Sequence, residues 1–291
     1  MQKSELWPNF LIIGAGKSGT TSLYHYLKAH PDVFMPEVKE PQFFSGTLPT
    51  YASETAYLDL FRGKGNAKVW GEGSVAYLST PSACSRIHET LGKDVKLICL
   101  LRNPVRTIYS RWGQLTKMHL ENRPAEEAIF RSLDASRQEN PEEYELYALA
   151  VDYAVHLERY RQFFPPENLC ILFFEEFFRE DLPQFGSLCR FLGIDDTYEP
   201  ENVVHNKGQI WRTTFMDSPL WKKSKAVIAP PLRVMLPMKL RAKIHTHLER
   251  WNKKPLDPMS DTMRKELQVR LDKSVRNLEK LLGRDLRSLW F

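Results

Sequence analysis

Residues 10–21 read FLIIGAGKSGTT, and this stretch decides the fold. Its first four residues are apolar on both faces, which is typical of a central strand in a parallel sheet. Three glycines follow within six residues, and from Thr20 the apolar residues recur at helical spacing as far as Pro31. The stretch therefore predicts a strand, a glycine-rich turn and a helix, in that order.

The glycine-rich turn matches two nucleotide-binding motifs in part. Gly14, Gly16 and Gly19 have the dinucleotide spacing G-x-G-x-x-G, but Asp32 precedes its apolar run instead of ending a strand. Gly14 and Gly19 also have the Walker A spacing, but Thr20 stands where that motif needs Lys. The sequence therefore disfavours nucleoside triphosphate hydrolysis. A dinucleotide oxidoreductase of the NAD-binding Rossmann type and a non-catalytic nucleotide-binding module stay open as alternatives.

The turn has the features of an anion site whichever motif it belongs to. Backbone N–H groups at a helix N-terminus favour a phosphate, both by geometry and by the helix dipole. Lys17 lies in the middle of the turn, and Thr20 and Thr21 bring hydroxyls to the start of the helix. We expect one phosphate with a reactive group attached, which Lys17 would meet. Metal ligands of the Walker type are not evident, so we expect no metal.

Further strands and helices alternate along the chain. This alternation predicts a single α/β domain over residues 1–291, with a central, mostly parallel sheet flanked by helices. The predicted strands are residues 10–13, 68–72, 95–101 and 169–174. The predicted helices are residues 20–31, 81–91, 105–115, 152–163 and 177–194, the last ending at Gly193, and a C-terminal helix with a short end over residues 260–290.

A second motif, LLRNPVRTIYSRW at residues 100–112, also predicts an anion site. Arg102 follows a predicted parallel strand directly, at the sheet edge where open α/β proteins bind ligands. Asn103 and Pro104 are the preferred residues for the cap and first position of a helix. On that helix Arg106 and Ser110 are four residues apart and so share one face. The pattern indicates a basic site for a second phosphate.

Composition and charge exclude several classes of protein. With 42% hydrophobic and 26% charged residues, the 291-residue chain is neither disordered nor fibrous. It contains no apolar run of the roughly 18 residues that a membrane span needs. Residues 1–14 do not resemble a secretory signal, so we expect a cytoplasmic location. The four cysteines form no metal or disulfide pattern and are expected to be buried thiols.

The basic charge is concentrated late in the chain. Residues 207–254 carry a net charge of +10, so the remainder carries −5. The segment fits a solvated basic surface, an anionic ligand, an acidic polymer or the surface of an anionic membrane. We expect no nucleic-acid partner, and peripheral membrane contact through this segment stays open.

Together the motifs resemble a known enzyme family. Residues 10–45, FLIIGAGKSGTTSLYHYLKAHPDVFMPEVKEPQFFS, resemble the 5′-phosphosulfate loop of sulfotransferases that use 3′-phosphoadenosine 5′-phosphosulfate (PAPS). The resemblance is greatest to the heparan-sulfate sulfotransferases and their bacterial relatives. Residues 100–112 resemble the family's 3′-phosphate motif, and residues 278–290, LEKLLGRDLRSLW, resemble the end of bacterial members.

The resemblance implies both a fold and a reaction. The fold would be similar to that of P-loop nucleotide kinases. The enzyme would move a sulfuryl group from PAPS to a hydroxyl or amine of a small-molecule or glycan acceptor, and adenosine 3′,5′-bisphosphate would be the product. The implied cofactor residues are Gly16, Lys17, Ser18, Gly19, Thr20 and Thr21 around the 5′ group, Arg102 and Ser110 at the 3′-phosphate, and Lys207, Gly208 and Arg212 in a closing loop.

The resemblance also implies the residues on the acceptor side. In the heparan-sulfate group a Glu just before a Phe-Phe pair acts as general base, which here is Glu40 in KEPQFF, with Lys17 as the catalytic cation. His119 and His205 stay open as alternative bases, because phenol and steroid sulfotransferases use a His.

The segment GEGSVAYL, residues 71–78, lacks the Lys that many members carry. A glycosaminoglycan acceptor is therefore less favoured, and a smaller sugar, a lipid-linked glycan or a natural-product hydroxyl stays open. The expected substrate contacts in this segment are Glu72, Ser74 and Tyr77.

Overall fold

A five-stranded parallel sheet forms the centre of the protein. The computed structural model describes residues 5–46, 51, 53–200, 209–211 and 253–291, with the backbone alone at 209–211 and 253–255. The sheet order is β2-β3-β1-β4-β5. The strands are β1 Phe10–Gly14, β2 Val33–Phe34, β3 Val69–Gly73, β4 Lys96–Leu101 and β5 Leu169–Phe173.

Helices connect the strands and cover both faces of the sheet. Numbered along the described residues, they are α1 Thr20–Ala29, α2 Glu54–Asp59, α3 Ala76–Ser79, α4 Pro81–Leu91, α5 Pro104–Lys117, α6 Ala125–Asp134, α7 Pro141–Leu146, α8 Ala148–Val151, α9 Tyr153–Arg161, α10 Phe174–Phe177, α11 Phe185–Leu192, α12 Asp261–Leu282 and α13 Arg287–Trp290. A 3₁₀ turn, Pro166–Asn168, precedes β5. Two short antiparallel strands, β6 Gln209–Trp211 and β7 Lys253–Pro255, lie outside the main sheet, and β6 packs against α5.

The central strand alternates between two buried hydrophobic clusters. Phe10 and Ile12 of β1 pack with α1 and α11 on one face of the sheet. Leu11 and Ile13 point to the other face, where α4, α5, α9 and α12 pack. Because both faces are covered by helices, every residue of β1 is buried. This explains the uninterrupted apolar run in the sequence.

The order of the strands places three strand ends around one point. The chain leaves β1 toward β2 and β3 on one side, then crosses to β4 on the other side. All of these neighbours are parallel to β1. The carboxyl ends of β1, β3 and β4 therefore lie side by side at the point where the strand order reverses. In open α/β folds, ligands bind in the crevice at such a point.

The predicted α/β class and parallel sheet are confirmed, and one predicted helix is wrong. Residues 177–194 do not form one helix, because α10 ends at Phe177 and the next helix begins at Phe185. Between them Asp181 and Leu182 have positive φ angles of 63° and 44°. Pro183 follows, and a proline disfavours helical backbone in the residue before it. The helix does end at Gly193 as predicted, in a left-handed conformation.

None of the described helices combines the length and the apolar character that crossing a bilayer requires.

Candidate functional site

The loop after β1 brings backbone N–H groups to the start of α1. The Ala15 N–H donates to the Leu100 carbonyl at 2.8 Å, which ties the loop to β4. Lys17 and Gly19 both have left-handed backbone, with φ of 66° and 89°. A Cβ at Gly19 would lie 2.6 Å from the Phe178 ring, so only glycine fits there. The Ser22 N–H donates to the Gly19 carbonyl at 3.0 Å, and the first two amides of α1, those of Thr20 and Thr21, lie where a helix N-terminus binds an anion.

Lys17 lies in a strongly positive environment. Burial lowers the pKa of its half-buried amine, and the charges of Arg102, Lys117 and Arg111 lower it further. No described carboxylate is among the groups that shift this pKa. The charges of three cationic side chains thus act together on a fourth. Such an arrangement favours binding of a phosphate or sulfate.

Arg102 extends this positive region from the end of β4. Its Nη1 donates to the Lys17 carbonyl at 3.1 Å, and its guanidinium lies 4.4 Å from the centre of the Phe174 ring. Burial lowers its pKa, and the nearby carboxylate of Glu175 opposes that shift. Its Nε is buried and has no partner among the described residues. A buried donor without an acceptor is rare, and a ligand oxygen would satisfy it.

The start of α5 is clamped by residues far away in the sequence. The Asn103 side chain caps the helix by accepting from the Val105 N–H at 2.9 Å, as predicted. Its amide nitrogen donates to the Trp290 carbonyl. Glu175 accepts from the Asn103 N–H at 3.0 Å and from the Trp290 indole at 2.9 Å. These contacts fix the backbone directly after Arg102.

Two basic residues on α5 belong to the site although they were not among the predicted residues. Arg111 is half-buried, its Nε donates to the Leu146 carbonyl, and its charge reaches Lys17. The charge of Lys117, at the end of the helix, also reaches Lys17. The pairing of Arg106 with Ser110 draws attention to one face of α5 and away from position 111. In the structure Ser110 is half-buried and Arg106 is exposed.

Glu40 lies in the loop after β2 and is held against the carboxyl end of β3. Its N–H donates to the Gly73 carbonyl at 3.1 Å, and its Oε2 accepts from the Val75 N–H at 3.1 Å. Its Oε1 pairs with the Lys39 amine at 2.7 Å. The end of β3 that Glu40 contacts is adjacent to the end of β1 that leads into the Lys17 loop, since β1 and β3 are neighbours. The structure therefore puts the candidate base and the cationic loop at the same end of the sheet, where the strands have their carboxyl ends.

The Phe-Phe pair that follows Glu40 anchors its turn in the core. Phe44 is fully buried, and Phe43 stacks on Tyr57 with ring centroids 4.4 Å apart. The Phe44 N–H also donates to the Tyr77 hydroxyl at 3.3 Å. The turn therefore has a fixed shape.

The three residues expected to touch the substrate point into the protein instead. Glu72, Ser74 and Tyr77 are all fully buried. The Ser74 hydroxyl donates to Glu72 Oε2 at 2.8 Å, and Tyr77 accepts from the Phe44 N–H. Residues 40–44 pack over this segment and cover it, which the local sequence does not reveal. Their roles toward an acceptor stay predictions.

Several predicted residues lie outside the described part of the chain. These are Lys207, Gly208, Arg212 and the alternative base His205, together with most of the basic segment 207–254. Their assignments stay predictions. The other alternative base, His119, is described and lies exposed in the turn after α5.

The position of Asp32 does not fit the acidic residue that the dinucleotide alternative needs. Asp32 accepts from the Lys68 amine at 2.9 Å and from the Asp195 N–H at 3.2 Å. It also precedes β2, so it lies at the end of that strand away from the glycine-rich loop. A dinucleotide site needs this carboxylate at the carboxyl end of the second strand.

Comparison with known proteins identifies the family of this chain. Residues 8–210 match the sulfotransferase domain. The chain is 27% identical over 205 residues to heparan sulfate glucosamine 3-O-sulfotransferase 3B1 of Homo sapiens, an alignment that covers 70% of this chain and 50% of the relative. It is 29% identical over 198 residues to the bifunctional heparan sulfate N-deacetylase/N-sulfotransferase 2 of Bos taurus, covering 64% of this chain and 22% of the relative. The chain thus spans half or less of these relatives.

A solved structure agrees with the sequence comparison along nearly the whole chain. The sulfotransferase from Alicyclobacillus acidocaldarius superimposes with a TM-score of 0.70 at 27% identity, covering 98% of both chains. The five-stranded parallel sheet and the glycine-rich loop after its central strand are therefore those of a sulfotransferase fold. The chain belongs to the sulfotransferase domain family.

Proposed function

We propose that the protein transfers a sulfuryl group from PAPS to a hydroxyl or amine of a carbohydrate or glycan-like acceptor. The observation that carries this proposal is the placement of the Lys17 loop and the Glu40 turn at adjacent strand ends. The Lys17 loop offers a positively charged site for an anion, and the Glu40 turn offers a carboxylate that is held in a fixed position. The relatives named above, whose names refer to heparan sulfate, support a glycan-like acceptor.

The donor side is supported by the cationic loop around Lys17 and by a buried donor of Arg102 that lacks a partner among the described residues. The amides at the start of α1, with Lys17 and Thr20, would hold the 5′-phosphosulfate. Arg102 and Ser110 would hold the 3′-phosphate, because the guanidinium of Arg102 has an unsatisfied Nε and can bind a phosphate through two nitrogens. The residues present therefore fit the donor.

The chemistry follows from these two halves. The acceptor oxygen or nitrogen attacks sulfur, and the bond between sulfur and the 5′-phosphate oxygen breaks. Glu40 takes the proton of the acceptor, and adenosine 3′,5′-bisphosphate leaves. Lys17, with Arg111 nearby, stabilises the negative charge that develops on the leaving oxygen. Two donors, Lys39 and the Val75 N–H, hold the Glu40 carboxylate in place.

Ligand-induced stabilisation tests the donor. In thermal melts with adenosine 3′,5′-bisphosphate, NAD and ATP, the melting temperature should rise selectively with the first, because a ligand that binds the folded state stabilises it. A rise with NAD alone would contradict the proposal and return the dinucleotide alternative.

A radiolabelled PAPS screen tests the acceptor. The panel should contain heparan sulfate, its N-desulfated form, short amino sugars, a lipid-linked glycan and a simple phenol. Label transfer to a carbohydrate is the expected result. Tight binding of adenosine 3′,5′-bisphosphate without transfer to any panel member would favour the non-catalytic module, and transfer to phenol alone would contradict the glycan assignment.

A further inference from the structure

Glu72 is a fully buried carboxyl group whose hydrogen-bond partners are hydroxyls. Its Oε1 accepts from the Tyr57 hydroxyl at 3.2 Å, and its Oε2 accepts from the Ser74 hydroxyl at 2.8 Å. It forms no ion pair within the described part of the chain. A buried carboxylate without a cation is costly, so its presence suggests a role other than stability.

The surroundings of Glu72 hold it close to half-ionised at neutral pH. Burial is the largest cause and raises its pKa to about 7, while nearby hydroxyls oppose the rise and the charge of Glu40 adds to it. The titratable groups that face it come from three helices and one loop. They are Tyr24 on α1, Tyr57 on α2, Tyr77 on α3 and Glu40 in the loop after β2.

Ser74 connects Glu72 to the turn that carries Glu40. Because the Ser74 hydroxyl donates its hydrogen bond to Glu72, the lone pairs of the Ser74 oxygen are left to face the Gln42 N–H. The Gln42 N–H donates to this oxygen at 3.0 Å. The ionised carboxylate thus fixes the direction of the hydroxyl, and the hydroxyl fixes the backbone of residue 42.

The turn needs this tether because its backbone is unusual. Glu40 and Gln42 have positive φ angles of 64° and 55°, on either side of Pro41. Residues with side chains rarely adopt this conformation unless the surrounding structure imposes it. The bonds of Glu40 to Gly73 and Val75 hold one end of the turn, and the bond from Gln42 to Ser74 holds the other.

We propose that Glu72 is a positioning residue that holds the 40–42 turn through Ser74 and thereby aims the Glu40 carboxylate. The proposal rests on the proposed function where it takes Glu40 as the base. The tether itself is a property of the fold. Protonation of Glu72 turns the charged acceptor of the Ser74 hydroxyl into a weaker neutral one, so the tether is strongest above the pH at which Glu72 ionises.

The backbone amide of Gln42 reports on the tether without any acceptor. Protein labelled with ¹⁵N-glutamine is titrated from pH 5.5 to 8.5, and the Gln42 signal is assigned with a Gln42→Asn variant. We expect the amide shift to change with a midpoint near 7. In Glu72→Gln this titration should disappear.

Two further variants separate the relay from a general effect of charge. Ser74→Ala keeps the Glu72 carboxyl but breaks the relay, so Gln42 should stop titrating while the ¹³C signal of Glu72 still titrates. Glu37→Gln removes an exposed carboxylate from the same loop and should leave the Gln42 titration unchanged.

A Gln42 amide that is flat in the folded wild type, or one that titrates equally in Ser74→Ala, would overturn the proposal. Calorimetry with adenosine 3′,5′-bisphosphate is run separately on each variant, and the affinity should stay within about twofold of wild type because the donor contacts lie on other loops. Failure of the wild type to bind this nucleotide would contradict the proposed function and not the tether. A tenfold loss of affinity in both relay variants would instead make Glu72 a general support of the site.

Discussion

At the scale of single residues, Lys17 is the most distinctive group of the site because it is a cation surrounded by cations. We expect Lys17→Ala to reduce turnover by about 10² to 10³, the usual effect of removing one donor that acts where charge develops. The affinity for adenosine 3′,5′-bisphosphate should fall much less, since Arg102 remains. Steady-state kinetics and calorimetry measure the two effects.

The control for Lys17 is Lys28→Ala, which removes an amine of α1 that pairs with the exposed Glu37. It should leave both quantities near wild type. Unchanged turnover in a folded Lys17→Ala protein would remove Lys17 from the mechanism.

Arg102 should discriminate between nucleotides with and without a 3′-phosphate. Arg102→Ala should weaken adenosine 3′,5′-bisphosphate by about tenfold or more, the range of a charge-assisted bond, and leave adenosine 5′-monophosphate nearly unaffected. Ser110→Ala should act in the same direction with a smaller effect, because its hydroxyl is neutral. Calorimetry with both nucleotides tests this, with Arg190→Ala, which breaks an exposed ion pair on α11, as the control. Equal weakening of both nucleotides would make Arg102 a structural residue.

Glu40→Gln tests the general base. The amide keeps the size of the side chain, so the turn should persist and nucleotide affinity should stay near wild type. Turnover with the acceptor from the screen should fall by about 10² or more. If Glu40→Gln stays active and His119→Asn or His205→Asn is inactive, the base is a His instead.

Residue roles could be predicted from the sequence only where the role depends on neighbours in the chain. The cap at Asn103 was predictable because a cap binds amides two and three residues ahead. The inward direction of Ser74 was not, because Gln42, its partner, lies 32 residues earlier. Arg111 was missed for the same reason, since its importance comes from a loop that precedes it by more than ninety residues.

At the scale of elements, the junction of β1 and α1 depends on a single glycine. Gly19 has φ of 89°, and a Cβ there would lie within 3.1 Å of Phe178 and Phe174. We expect Gly19→Ala to lower the free energy of unfolding by about 2–4 kcal/mol, combining backbone strain with overpacking. Urea denaturation measures the loss.

Gly65→Ala is a matched control for this substitution. Gly65 also has positive φ, 52°, but no atom lies within 4 Å of the added Cβ. Its cost should be the backbone part alone, about 1 kcal/mol. Equal losses in the two variants would show that Phe178 and Phe174 move aside without cost.

Strands were easier to predict than helix boundaries, for a physical reason. A parallel strand covered on both faces must be apolar along its buried part, so Phe10–Gly14 and the run from Leu97 to Leu101 in β4 are conspicuous in the sequence. The 177–194 region has helical periodicity, but Pro183 and two positive φ angles interrupt it. Such interruptions depend on how α10 and α11 pack, and hydrophobic periodicity does not record that.

At the scale of the whole molecule, Glu72 makes folding stability depend on pH. Its pKa is about 7 in the folded protein and near 4.5 in the unfolded chain, so the folded state binds the extra proton. The stability that this proton contributes is fully present below the unfolded pKa and is lost as pH rises through 7. A pKa shift of this size corresponds to a loss of about 3 kcal/mol in the free energy of unfolding.

Glu72→Gln should therefore gain stability relative to wild type between pH 5 and pH 8. Urea denaturation of both proteins at the two pH values gives the difference between their free energies of unfolding, and the test is how this difference changes with pH. A difference that is equal at the two pH values would mean that Glu72 ionises like an exposed carboxyl.

The contact between Asn103 and Trp290 has a consequence for how the protein is made. The two residues are 187 positions apart, yet Trp290 and Glu175 together fix the backbone beside Arg102. A ribosome that has already translated both nucleotide motifs must still add almost two thirds of the chain before this clamp can close. The backbone beside Arg102 can therefore be fixed by this clamp only after residue 290 has left the exit tunnel.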